Sequence, residues 1–571
     1  MHRRQFLMHS SLGLFSLVAM NRCKTMAEEI GPADNLHAKP EPFLFDMVHE
    51  NPGEADFASA YLEPEKLRSL GYNGKVFFLF EAAQFGISWR NYDLSIYPDG
   101  CDEILWQEKK YAEITAKYDA AQRAGLAVYC MMDMIVLPRL IVDRYKSAIC
   151  TEDGKIDIHR SKTQELISYL LDTIFKTFPQ LAGLIIRTGE TYLHDAPHFV
   201  GNDPILKGAD SQIALIRLLQ KEICDKRAKR LFYRTWGFDG FHSNPAYYLK
   251  VTDQVDPHPL LIFSIKHTQY DFWRIEFNPT LAIGKHKQIV EVQCQREYEG
   301  KSAHPNYIGK GLIDGFTESM GTGKNKCLRD IINQPHFSGL WTWSRGGGWS
   351  GPYIRNELWA DLNVEVISKW ILNPHLSEEE VFKGYAASLG FAGADIDRFR
   401  RIALLSADAI YSSQYSKYGM DDLLWTRDNV IGGVSELRKT FDRALRDNTG
   451  EKYLAEKSLG TKLWKEIETL AFQIQSGSED TKAFIRTSCT YGRIKHEIFE
   501  MAWIVLFIAY QKEQNGNGDI PRIRAAISAY DRLWDEWRSL GQAKECPSIY
   551  LDTYSNGRPG VGESVNRYRR L

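Results

Sequence analysis

EVQCQREYEG, Glu291 to Gly300, does not read like an ordinary strand. Val290, Val292 and Cys294 alternate as strand residues do, yet Glu291, Gln293, Gln295 and Glu297 stand between them. A strand buried on both faces reads as a continuous apolar run, and a half-buried one gives its second face to open water. The residues leading in, KQIV, look buried, and then one face becomes a ladder of carboxylates and amides. A barrel of parallel strands accounts for this pattern, because its strands are buried along their length and open at their C-terminal ends onto a site. The plainer alternative is a strand end tied up in salt bridges, with no ligand.

The rest of the chain supports the barrel. Eight apolar runs alternate with helical stretches between residues 43 and 351: FLFDMVH from Phe43, KVFFLFEA from Lys75, GLAVYCMMDM from Gly125, GLIIRTGE from Gly183, RLFYRTWGF from Arg230, LLIFSIKH from Leu260, QIVEVQCQRE from Gln288 and GLWTWSR from Gly339. SKTQELISYLLDTIFKTF, between the third and fourth runs, carries Leu166, Leu170, Ile174 and Phe178 on one helical face. SQIALIRLLQKEICDKRAK separates the fourth from the fifth. The expected fold is therefore an α/β (β/α)₈ TIM barrel over 43–351. After WSRGGGWSGPY the pattern turns almost wholly helical, and 352–571 is expected to form an all-helical C-terminal domain. Ser377 and Glu380 have the spacing of a capping box there. The helical domain also offers a surface through which a homodimer could form.

At the other end, MHRRQFLMHSSLGLFSLVAM has a charged start and a short apolar stretch, and Thr25 to Ala27 offers a small-residue cleavage site. Residues 1–27 read as a secretory signal, with Arg3-Arg4 before Gln5-Phe6-Leu7 resembling the twin-arginine type, and 28–42 as a linker. Export to the periplasm or beyond the cell follows. Asn21-Arg22 before Cys23 does not resemble a lipobox. No later segment is long enough to span a bilayer; MAWIVLFIAY from Met501 reads as a buried helix. A net charge of −2 gives no electrostatic reason to expect nucleic acid or an anionic membrane. The nine cysteines are scattered singly, without metal-ligand spacing, and Cys130, Cys224 and Cys294 read as buried thiols. Neither a metal nor a cofactor is expected.

The chemistry gathers at the strand ends. The fourth run ends at Glu190, the fifth carries Arg234 and Trp236, the sixth carries Lys266 with Asp271 just beyond, and the seventh ends at Glu297 beside Tyr298. Cleaving a glycosidic bond takes one protonated acid for the leaving oxygen and one ionised carboxylate to activate water or attack directly. Carboxylates from different strands suit that division. Arg and Lys beside them would serve a substrate carboxylate. After Glu190, His194 and His198 are four residues apart; Pro197 argues against a zinc-binding helix, and hydrogen bonding to substrate is the better use for His194. Trp343 and Trp349, in and after the last run, are candidate stacking platforms, and Gly346 to Gly348 would allow close backbone approach to a sugar. Trp89 and Tyr92 are further candidates, with barrel filling as the alternative.

These segments resemble a known family. VEVQCQREYEG is similar to the E-x-Q-x-x-x-E-Y-x-G stretch of the family 67 glycoside hydrolases, the α-glucuronidases of xylan breakdown. IKHTQYDF resembles that family's I-K-N-G-P-I-D-F, with Ile265, Lys266, Asp271 and Phe272 matching. RTGE and YRTWGF also fall in the family's order, and DLNVEVISKWILNPHLSEEEVF looks like its C-terminal domain. The resemblance implies an inverting, exo-acting hydrolase that releases a terminal uronic acid from a plant or algal oligosaccharide. Glu190 would be the general acid, Asp271 and Glu297 would flank the attacking water, and Arg234 and Lys266 would hold the uronate. The family's lysine before the acid corresponds to Ile186, with Arg187 as its substitute. Arg296 replaces a glutamine, Thr268-Gln269 replace Gly-Pro, and the family's domain ahead of the barrel has no counterpart in the sequence. A distant relative is implied. The alternatives are a retaining or other-sugar barrel glycosidase, or a non-catalytic carbohydrate-binding protein.

Overall fold

The computed structural model describes residues 41–571, apart from 50–56, 99, 238, 275, 320–322, 324, 348–353, 420–433, 550–553, 556–557 and 560. The expected signal, the linker up to residue 40, and Trp349 lie outside the described residues. Eight parallel strands close into a barrel: β1 (Phe43–Val48), β2 (Gly74–Phe77), β3 (Ala127–Asp133), β4 (Leu181–Arg187), β5 (Arg230–Arg234), β6 (Leu261–Lys266), β7 (Lys287–Gln293) and β8 (Phe337–Arg345). Each pairs with the next, and β8 returns to β1. All eight runs read from the sequence are barrel strands.

The reason lies in what fills the interior. Near the N-terminal ends of the strands, Phe43, Phe45, Tyr129 and Phe232 pack on one another with ring centroids 4.6 to 5.4 Å apart. Rings that large need space from their neighbours. Gly74 supplies some, since a Cβ there would lie 2.4 Å from the Phe45 ring. On the other face of β1, Asp46 is fully buried and accepts hydrogen bonds from Thr342 Oγ1 (2.6 Å) and Ser344 Oγ (2.7 Å), tying β1 to β8. Burial nevertheless pushes its carboxyl up to about 6.

The helices between strands include Pro64–Ser69, Asp102–Arg123, Ser161–Thr177, Ala209–Leu219 and Pro245–Thr252. The link from β6 to β7 carries no helix among the described residues, so the regular alternation expected from the sequence breaks there. That link contains Asp271. After β8 come helices Leu358–Leu372, Glu378–Ser388, Ala394–Gln414, Val434–Arg446, Gly450–Gln473, Glu479–Asn515 and Ile520–Leu540. The capping box is present: Ser377 Oγ accepts from Glu380 N at 3.2 Å, and the Glu380 carboxylate accepts from Ser377 N at 2.7 Å. A two-stranded hairpin, Tyr554–Ser555 with Arg558–Pro559, and a short helix Val561–Asn566 end the chain. Residues Pro42–Leu571 form one compact unit, and one hydrophobic core runs from the barrel into the helices up to Cys489. The Met501 segment lies inside Glu479–Asn515, and no described helix is long and apolar enough to cross a membrane. The eight described cysteines are free.

Candidate active site

At the C-terminal mouth of the barrel lies a cavity of about 140 Å³. Glu190, Asp271 and Glu297 all line it, delivered by β4, β6 and β7. Arg187, Arg234 and Lys266 supply its cations, and Trp236, Tyr298 and Trp343 much of its aromatic wall. These nine residues, all singled out from the sequence, converge here. His194 does not line the cavity: it is on the loop after Glu190, its ring 5.8 Å from Phe80. Proline and a left-handed Asp195 turn that loop outward, with Lys110 holding Asp195 at 3.1 Å. Among the described residues no group of His, Cys, Asp and Glu is arranged to hold a metal ion.

Asp271 has the most worked surroundings. Its backbone is left-handed, φ +34°, which a non-glycine residue keeps only when the surroundings hold it. Two contacts do so: an ion pair with the Lys266 ammonium and a hydrogen bond from the Tyr298 hydroxyl to Oδ2. The Tyr298 ring is itself fixed, stacked on Trp273 at 4.1 Å and 16°. Lys266 lies between aromatic faces, its ammonium 4.4 Å from the Trp236 centroid and 4.2 Å from that of Phe272. Burial first, then the Arg234 charge, pushes Lys266 well below the usual lysine range, against the pull of Glu291, Glu297 and Glu190.

Glu190 is held by Arg187, whose Nη2 donates to Oε2 at 2.6 Å. Behind Arg187 stands Asp133, at the end of β3, 3.7 Å from Nε and accepting from Tyr192 N at 2.6 Å. Burial raises the Asp133 carboxyl to about 6 despite Arg187. Arg234 is not free to grip a substrate with its whole fork. Its Nε and Nη2 bind the fully buried Glu291 carboxylate at 2.6 to 2.9 Å. Glu291, read from the sequence as part of an emerging ladder, therefore sits inside the barrel as the partner of Arg234.

Glu297 differs from both other carboxylates, having no basic partner within ion-pair distance among the described residues. Its place is set by its neighbours. In the turn Glu297–Glu299, Arg296 grips Glu299 at 2.6 and 3.0 Å. Burial opposes the ionised Glu299, but the Arg296 charge and hydrogen bonds hold its carboxyl below the ordinary range. The Tyr415 hydroxyl, just after helix Ala394–Gln414, donates to Glu299 at 2.7 Å and accepts from Arg274 N at 2.8 Å. Asn363 from helix Leu358–Leu372 donates to the carbonyls of Cys294 and Asn306 at 3.1 and 3.0 Å. The helices after the barrel thus brace the loops that carry Glu297 and Asp271, a role the sequence reading did not give them.

Gly347 closes this corner. A Cβ there would lie 2.6 Å from Glu297 Oε2 and 3.2 Å from the His49 ring. Gly347→Ala is expected to displace Glu297 and lower turnover on the order of 10²-fold, with an unchanged melting midpoint. Steady-state kinetics and calorimetry check both halves. Trp89, in contrast, is no platform: it is fully buried against Tyr169 at 5.2 Å. Trp341 is likewise barrel filling, 1% exposed.

No family model matches the chain, and no curated protein matches it. Among solved structures it is similar to a "GH138 enzyme targeting pectin rhamnogalacturonan II", at 11% identity and TM-score 0.55, over 93% of this chain and 67% of that one. It also aligns with a mutant O-GlcNAc hydrolase of Thermobaculum terrenum over 92% of each chain, at 8% identity and TM-score 0.37. The Flavobacterium johnsoniae chitobiase aligns over 92% of this chain and 77% of its own, at 12% identity and TM-score 0.31. The first of these likenesses takes in the barrel and the helices that follow it, and what it establishes is a shared fold.

Proposed function

We propose that the protein is an exported glycoside hydrolase that removes one terminal sugar, a uronic acid, from a plant or algal oligosaccharide with inversion. One observation carries the proposal: three carboxylates from three strand ends face a single cavity among aromatic rings. Glu190 gives its proton to the leaving oxygen, and Asp271 and Glu297 flank the attacking water. Lys266 and the Tyr298 hydroxyl both meet the Asp271 carboxylate and fix its place on the cavity wall, which suits it to take the proton of that water. At about 140 Å³ the cavity is smaller than the roughly 300–1,000 Å³ of drug-sized sites, so it suits a single ring at a chain end. The similar GH138 structure is described as targeting a pectin, a plant polysaccharide, which agrees with the substrate class.

The uronate assignment draws on the cations and on the family 67 resemblance. Arg187, Arg234 and Lys266 each already meet a protein carboxylate, and this favours a second reading, a neutral terminal sugar. Incubation with uronate-capped and neutral oligosaccharides, reading the released monosaccharide, separates the two. Following the first-formed anomer by NMR tests inversion; a retained anomer would make Asp271 or Glu297 the nucleophile. Glu190→Gln is expected to slow unactivated substrates by about 10²–10⁴-fold with the fold intact. Full activity in that variant would remove Glu190 from the role of acid.

A further inference from the structure

His49 is a polar residue of the cavity that the hydrolase reading leaves unused. It follows β1 directly, and its backbone N–H donates to Arg345 O at 3.0 Å, which continues the β1–β8 pairing by one residue. The ring is thereby set on the cavity wall, stacked on Phe78 at 3.7 Å and 26° and edge-on to Trp343 at 5.9 Å. It is 7% exposed, and neither ring nitrogen has a hydrogen-bond partner. Trp343 Nε1, on the same wall, is also buried without a partner. Buried polar groups are nearly always paired, so unpaired ones facing a cavity mark where a ligand supplies the missing partner.

We propose that His49 is a substrate-binding residue that takes two adjacent hydroxyls of the terminal pyranose and, with Trp343 Nε1, seats that edge of the ring beside Glu297. This rests on the glycosidase reading of the cavity. A neutral imidazole donates from one nitrogen and accepts at the other, and two neighbouring hydroxyls match that pair because each can do either. A carboxylate would need two donors. Burial first, then the charges of Arg187, Lys301 and Arg234, favour the neutral ring, and a cation would meet those same charges.

The test uses the full-length protein. His49→Phe keeps a flat ring on Phe78 and removes both nitrogens; His49→Asn restores one donor and one acceptor. With the substrate identified by the oligosaccharide panel, His49→Phe is expected to raise KM, and the Kd of the released monosaccharide, about tenfold or more, with the melting midpoint unchanged. Asn is expected to recover part of the loss. A deoxy analogue lacking one of the two hydroxyls should bind the wild type more weakly than the parent sugar, but bind His49→Phe as the parent does. Equal affinity of His49→Phe and wild type for the sugar, or an equal analogue penalty in both, overturns the proposal. Should His49→Phe fail to fold, ¹⁵N spectra of the wild-type imidazole decide: the ring nitrogens are expected to shift when the monosaccharide is added, and stationary signals overturn the assignment. A wild type that binds and cleaves no saccharide of the panel fails differently, because it removes the glycosidase reading itself and this inference with it.

Discussion

Asp271→Asn is expected to cut kcat by about 10²–10⁴-fold with little change in KM or in fold. The substitution is chosen for what it leaves alone. Asparagine tolerates the left-handed backbone that Asp271 adopts at φ +34°, so the loop keeps its course. It remains large enough to accept the hydrogen bond from Tyr298, whose ring is fixed on Trp273. What is lost is a negative charge beside Lys266. Burial and Arg234 already push that lysine below its ordinary range, and removing its anion pushes it the same way, so the site loses a charge pair rather than gaining a bare cation. The measurement is kcat on an unactivated substrate beside a urea unfolding curve. Full turnover with an intact curve would take Asp271 out of the mechanism and leave Glu297 as the group that activates water.

The barrel was legible because its strands are buried on both faces and leave eight apolar runs that little else in the chain imitates. Its catalytic rim was legible for the converse reason. A charge that closes an apolar run, as Glu190 closes GLIIRTGE, marks either a site or a salt-bridged strand end, and several such ends on one rim favour the site. By that rule His49, which ends the first run, and Asp133, one residue before the end of the third, carry the same signal, although the sequence reading did not single them out. The pairings were not legible. Arg234 and Glu291 are 57 residues apart, and Tyr415 and Glu299 are 116, and no local pattern couples residues at such separations. The reading of Glu291 went astray on register: it lies opposite Lys266 in the β6–β7 pairing, two residues short of the strand end, and so faces the barrel interior. Trp89 shows the limit of composition, since an indole that could stack on a sugar packs the core equally well.

That interior pair carries the largest effect expected on stability. Glu291→Leu is expected to destabilise the fold by about 3–5 kcal/mol, because it leaves the Arg234 guanidinium buried without a counter-charge. The surroundings cannot make good the loss. Arg234 is 3% exposed, Lys266 beside it carries a like charge, and the remaining contact at Glu291, the Ser264 hydroxyl 3.2 Å from Oε2, is neutral. The aromatic faces of Trp343 and Trp236, 5.1 and 5.8 Å from the guanidinium, give part of its support but no hydrogen bonds. Removing both charges, as Arg234→Met with Glu291→Leu, is expected to recover most of the stability, since the cost of an unpaired buried ion then disappears. Activity should not return with it, because Arg234 also lines the cavity. Urea unfolding of the two single variants and the double variant, with turnover measured on each, separates the structural share of this arginine from its share in the site. A Glu291→Leu cost below about 1 kcal/mol would mean that the pair is not desolvated and that water reaches the barrel interior at this layer.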